Sequence, residues 1–243
     1  MATEGKITDV VSPAKLTLSL QITGQREDGY HFIKSEMVTI DLFDSMSFEK
    51  GERSVVYSGE YPIDPEPEKD LVLRALDLLN VDAAVTVNKK IPPKGGLGGG
   101  SGNAAAVLRH HGFFDIEKAL ELGADVPFNL RGGRAIVQGI GEIIEPRPYE
   151  ERYFTLLIPN LGCSTIEVYK KWDELGGPKG ENGNDLEPAA LLVQPELYKW
   201  RDKLKTHSGL KPNLAGSGST WFVEGHYPGN GFVTVKSLPP TES

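Results

Sequence analysis

A single cysteine, Cys163, among 243 residues excludes an internal disulfide, and no Cys/His cluster has zinc-ligand spacing. A reducing compartment is expected. Also missing is any uninterrupted apolar stretch near the ~18 residues of a membrane-crossing helix. The first residues, MATEGKITDVV, carry neither a basic-then-apolar secretory leader nor an Arg/Ser-rich transit segment, so a cytoplasmic location without a membrane partner is expected. Basic residues are in deficit, 26 against 34 acidic, and the net charge of −8 argues against nucleic acid as the main partner. A local basic pocket for a nucleotide remains compatible with that balance. No G-x-S-x-G turn occurs, which removes that hydrolase class.

What is present reads as an ordinary globular chain, 39% hydrophobic and 25% charged, long enough for one large domain or two modest ones. Residues 14–23 alternate strictly: Ala14, Leu16, Leu18, Leu20 and Ile22 form one face of a strand, with Lys15, Thr17, Ser19, Gln21 and Thr23 on the other. Asp28-Gly29 marks a hairpin turn, and further strands are expected over 37–42 and 54–57. Asp70 caps a helix with Leu71, Ala75, Leu78 and Leu79 on its apolar face. A strand over 84–87 precedes the glycine run, and helices over 103–111 and 116–122 follow it, each stopped by glycine. Residues 124–127 then form a loop, and a strand covers 135–137.

The proline-bearing segment 145–152 is a candidate boundary, dividing the chain into 1–147 and 148–243. Beyond it come a strand over 153–158, a helix opened by the Ser164/Glu167 capping box, a helix over 196–206 and a strand over 220–223. Mixed elements with hairpin connections indicate an α+β fold rather than a doubly wound sheet.

The run Pro92-Pro93-Lys94-Gly95-Gly96-Leu97-Gly98-Gly99-Gly100-Ser101-Gly102-Asn103 feeds directly into a helix. Glycines let backbone N–H groups converge on an anion, and a helix N-terminus adds a favourable dipole. The run is neither a G-x-x-x-x-G-K-[ST] loop nor a G-x-G-x-x-G fingerprint, since Ser101 stands where the third glycine belongs. A phosphate cradle and a flexible surface loop both fit it.

Pro13-Ala14-Lys15, the run ending at Ser101, and Asn213–Ser219 together resemble the GHMP kinases, the galactokinase–homoserine kinase–mevalonate kinase superfamily. Arg26–His31, Leu122–Phe128, Gly139–Glu142 and Asn184–Pro188 narrow the resemblance to its branch in non-mevalonate isoprenoid synthesis. The resemblance implies a two-domain α+β fold, an N-terminal domain like ribosomal protein S5 and a ferredoxin-like C-terminal one, with the active site between them. It implies ATP and Mg²⁺, and phosphorylation of the 2-hydroxyl of 4-diphosphocytidyl-2-C-methyl-D-erythritol, a substrate carrying cytidine diphosphate.

By the same resemblance, Lys15 and Asp125 are the catalytic pair, the carboxylate orienting or deprotonating the hydroxyl and the ammonium keeping it ionised. Tyr30 and His31 recognise the cytidine, Thr17, Thr165 and Asp185 line the substrate pocket, Pro92–Asn103 hold ATP, and Ser101 ligates Mg²⁺. Gly216, Ser217 and Gly218 pack against the first loop. Taken alone, each also has an ordinary reading: a solvated lysine, a loop aspartate, an exposed hairpin tip, a cap or a turn.

Thr17 departs from the family's asparagine, Lys94 from a small residue, Gly102 from a second serine, and Asp70 from an asparagine linked to adenine binding. Between Asn103 and Gly123 the chain is shorter than the family's by roughly two to three helical turns. Two alternatives stand beside the kinase reading. Another GHMP kinase, of homoserine or mevalonate type, is disfavoured by Tyr30-His31. A non-catalytic ligand sensor is disfavoured by the intact Lys15 and Asp125.

Overall fold

The computed structural model describes residues 8–241, so the segment MATEGKI lies outside the described residues. Two long strands, β1 (Thr8–Gln25) and β2 (His31–Lys50), form an antiparallel hairpin. The first third of β2 also pairs with β5 (Arg134–Gly139), and its last third pairs with β4 (Ala83–Lys89). With β3 (Ser54–Gly59) parallel to β4, and β6 (Ile143–Arg147) beside β5, this makes a six-stranded sheet. A four-stranded antiparallel sheet, β10-β7-β9-β8, follows from β7 (Tyr153–Leu157), β8 (Asn213–Leu214), β9 (Trp221–Glu224) and β10 (Val233–Lys236).

Helices α1 (Leu71–Leu79), α2 (Gly99–His110), α3 (Ile116–Leu122) and α4 (Val126–Arg131) belong with the first sheet. Their core joins Met46, Val85, Ala75, Leu76, Leu108 and Val126. Helices α5 (Thr165–Glu174), α6 (Glu187–Val193) and α7 (Leu197–Ser208) pack on the second sheet through Val168, Leu191, Leu204 and Trp221. A third cluster joins the two halves, setting Leu16, Ile40 and Leu97 against Phe154, Phe222 and Val235. The site therefore stands on a buried apolar seam rather than on a hinge.

Several elements differ from the sequence expectation. The first hairpin is much longer than the alternating stretch, its pairing carried through three register shifts at Pro13/Ala14, Thr17/Ser19 and Ile22/Gly24. Helix α2 begins at Gly99, four residues before Asn103, since packing overrides the poor helix propensity of glycine. Residues 126–127 are helical rather than loop, so Asp125 occupies the N-cap of α4. Helix α1 buries Val72, Ala75 and Leu76, while Leu71, Leu78 and Leu79 are half-buried. Helix α6 has no counterpart in the expectation.

The segment after Asn103 turns through Gly112–Asp115, where Asp115 caps α3 by accepting from Lys118 N–H at 3.0 Å. Arg74 donates to the carbonyls of Glu121 and Leu122, and Arg109 donates to that of Asn129. The turn bearing Asp125 is thereby tied down from both sides.

Candidate active site

One cavity of about 860 Å³ runs between the halves. The glycine run forms one wall, with backbone bonds holding it on both sides. Lys15 N–H donates to Leu97 O at 3.0 Å, Thr220 N–H to Gly95 O at 3.1 Å, and Cys163 N–H to Lys94 O at 3.1 Å. Gly98 (φ 69°) is the N-cap of α2, so the free N–H groups of that helix's first turn open onto the cavity. Gly96 (φ 77°) lies against the second glycine-serine loop, where any Cβ would overlap the carbonyl oxygen of Ala215. Gly96→Ala is therefore expected to cost about 2–4 kcal/mol, combining left-handed strain with overpacking, and to raise the KM for a nucleotide several-fold. Thermal melts and steady-state kinetics check this. A variant that melts and binds like wild type would show that the two loops need not touch.

Lys15 is on the face of β1 that the two loops cover, and its side chain is only 6% exposed. Its Nζ lies 3.3 Å from Asp125 Oδ2 and donates to Thr17 Oγ1 at 2.9 Å. Asp125 reaches that ammonium because its side chain makes no cap bond to α4, although it stands at the N-cap. The carboxylate remains 31% exposed toward the cavity.

At the other end, Tyr30 is exposed at the hairpin tip. His31 faces α5, 4.9 Å from the Tyr169 ring and 2.8 Å from Asp173 Oδ1. Thr165 begins α5, and its hydroxyl lies 2.9 Å from Ser217 Oγ. Burial and the charge of Asp125 push the Tyr169 phenol well above its ordinary range, so it stays protonated. Burial likewise pushes the Cys163 thiol up to about 11, which makes it inert as a nucleophile.

The cavity brings together Lys15, Thr17, Tyr30, His31, Pro92–Ser101, Asp125, Thr165 and Ser217. It does not take in Gly102, Asn103 or Asp185. Gly102 is buried against Ser12 and Pro13. Asn103 turns inward, accepting from Lys89 Nζ at 3.1 Å and donating to Ser12 and Asp44 at 3.0 Å each. Asp185 accepts from Ile22 N–H at 2.9 Å and Lys179 Nζ at 2.8 Å, pinning a loop to β1. Asp70 is fully used as a cap, accepting from Val72 and Leu73 N–H and from the Tyr57 hydroxyl.

Sequence reading did not single out Tyr169, Lys170, Asp173 and Lys89, which also line the cavity. A signal existed for two of them: Thr165, Tyr169 and Asp173 recur at i, i+4 and i+8 on one helix face. Lys89 had none, because its burial depends on Asp44 from a distant strand. Among the described residues no group of three or more His, Cys, Asp or Glu side chains could hold a metal by itself, and no helix is long and apolar enough to cross a membrane.

Residues 70–133 match the GHMP kinases N terminal domain. A 4-diphosphocytidyl-2-C-methyl-D-erythritol kinase of Polynucleobacter asymbioticus is 34% identical, the match covering 87% of this chain and 82% of that one. The protein of the same name from Clostridium perfringens is 39% identical, with 86% of each chain covered. A crystal structure of a 4-(cytidine 5'-diphospho)-2C-methyl-D-erythritol kinase aligns with a TM-score of 0.69 at 28% identity, over 88% of this chain and 89% of that one. Mevalonate kinase of L. major aligns with a TM-score of 0.65 over 98% and 99% of the chains, but at 13% identity the likeness is one of fold alone.

Proposed function

The chain belongs to the family of 4-diphosphocytidyl-2-C-methyl-D-erythritol kinases, and we propose that its cleft performs their phosphoryl transfer with Asp125 as base and Lys15 as its cationic partner. The fold is the α+β, two-domain GHMP kinase fold. The reaction moves the γ-phosphoryl group of ATP to the 2-hydroxyl of 4-diphosphocytidyl-2-C-methyl-D-erythritol, a step of isoprenoid synthesis. The observation that carries the residue roles is the Lys15–Asp125 pair at 3.3 Å, facing the glycine wall inside the shared cavity.

Phosphoryl transfer asks a protein for alignment and charge neutralisation more than for covalent chemistry. The N–H groups of the α2 first turn hold the ATP phosphates. Asp125 takes the proton of the substrate hydroxyl, and Lys15 offsets charge on the transferring group. Tyr30 and His31 hold the cytidine end, with Thr17 and Thr165 along the wall between. Gly102, Asn103 and Asp185 support this wall from behind.

Mg²⁺ is a hard cation that takes oxygen ligands, most of them from phosphates and water. Oxygen donors of that kind are present in the Ser101 hydroxyl and the Asp125 carboxylate, both on the cavity wall. Ser101 Oγ faces the Asp125 turn, 3.9 Å from where a Cβ on Gly123 would lie. The donor set fits. When bound, the ion supplies charge neutralisation on the phosphates, and Ser101 would hold it.

A domain division at 1–147 and 148–243 accords with β6 ending at Arg147 and β7 beginning at Tyr153 in the other sheet. Mg-ATP with the cytidyl substrate should release ADP only when both are present, followed by a coupled assay. Equal turnover of homoserine or mevalonate, or ADP release independent of substrate, would overturn the substrate assignment.

A further inference from the structure

Helix α4 buries its first five residues, and Val126, Pro127, Phe128 and Leu130 among them are apolar. Asn129 is the exception, an amide only 4% exposed in their midst. An apolar side chain there would spare the fold the desolvation of an amide, so the core does not ask for this one. What the amide touches is the base-bearing turn. Its Nδ2 donates at 2.8 Å to the main-chain carbonyl of Asp125, which also accepts the Asn129 N–H at 3.1 Å. Both lone pairs of that oxygen are thus taken, which fixes the orientation of the peptide after Asp125. The Asp125 carboxylate makes no cap bond to α4, so its backbone is what aims it at Lys15.

The same amide stands against the first turn of α2. Nδ2 is 3.5 Å from where a Cβ on Gly98 would lie, and Oδ1 is 4.0 Å from where one on Gly102 would. The Lys15 side chain passes the same glycine, its Cγ 2.8 Å from that Gly98 position. Further along α2, Arg109 donates to the Asn129 carbonyl. Asn129 therefore meets both the turn that carries the base and the turn whose N–H groups open onto the cavity. We propose that Asn129 is a positioning residue for the phosphoryl transfer, its side-chain amide fixing the Asp125 turn against the first turn of α2. The inference rests on the assignment of Asp125 as base and adds to it the residue that sets its place relative to the phosphates. Such alignment matters because a displacement of about 1 Å at a reacting centre costs up to about 10²-fold in rate.

Substitutions at position 129 separate alignment from packing. Asn129→Ser and Asn129→Ala leave nearly the same space, but a helical serine hydroxyl bonds the carbonyl four residues back, here that of Asp125. The test is steady-state kinetics on the full chain with Mg-ATP and the cytidyl substrate. Asn129→Ala should lower kcat about tenfold and Asn129→Ser by less than about threefold, with both KM values within about twofold of wild type in each. Asn129→Leu, which refills the space without a donor, should lose the same tenfold. In an Asp125→Asn background, Asn129→Ala should take less than about twofold from the residual turnover, because its effect passes through the missing carboxylate. Equal kcat in the serine and alanine variants, a shift in KM without one in kcat, or a further tenfold loss in the Asp125→Asn background would overturn the inference. Near-wild-type turnover of Asp125→Asn alone would instead overturn the assignment of the base, and the inference with it.

Discussion

Asp125→Asn is expected to lower kcat by about 10²–10⁴-fold while leaving the KM for ATP nearly unchanged. The amide preserves size and one acceptor oxygen but removes the base and the charge beside Lys15. Thr17 still accepts from the Lys15 ammonium, so the stability cost is about 1–2 kcal/mol and folded protein remains for assay. The proposed nucleotide contacts lie in α2 and the glycine wall, where Asp125 makes no hydrogen bond, so ATP affinity should not move. Turnover within a factor of a few of wild type would remove Asp125 from the chemistry. A matching loss of nucleotide affinity would make it a residue of the loop's support instead.

The second large effect concerns stability. Lys89 is buried to 2% exposure and ion-paired with the wholly buried Asp44, whose other oxygen accepts from Lys90 and Ile91 N–H at 2.7 and 2.8 Å. Burial draws the Lys89 ammonium below its ordinary pKa even with Asp44 beside it. Lys89→Met leaves the carboxylate buried without its counter-charge, a change that costs about 3–5 kcal/mol. In a chain of this size the melting temperature should fall by roughly 6–20 °C.

Adding Asp44→Asn removes the charge yet keeps an acceptor for the two backbone N–H groups, so the double variant should recover most of the loss. Calorimetry on the two variants decides it. A single variant as stable as wild type, or a double variant worse than the single, would refute the account. Because Asn103 joins the same network from α2, the single variant should also bind ATP more weakly.

How far the sequence could be read depended on whether a property was local. The β1 alternation, the Asp70 and Ser164 caps and the glycine run each follow from neighbouring residues, and each has its structural counterpart in the strand, the two helices and the cavity wall. Asn103 and Asp185 show the limit. The family resemblance brought them into the candidate set, but only the opposing strands determine which way a side chain turns, and here both turn inward. The start of α2 was misjudged for a related reason, since glycine's propensity against helix is about 1 kcal/mol per residue and packing outweighs it.

Through its resemblance to the GHMP kinases the sequence by itself determined the chemistry to expect, and directly it determined the parts and their order: a glycine-rich loop feeding a helix, a lysine among small polar groups and an acidic turn. These are matters of residue type and short spacing. The tertiary structure decided which of those residues face one another. Packing of α4 against β1 brings Lys15 to Asp125 across 110 residues, and the packing of the two halves presses Gly96 onto Ala215 and sets Asp173 against His31. Such pairings depend on the packing of distant surfaces, which no local window of sequence contains.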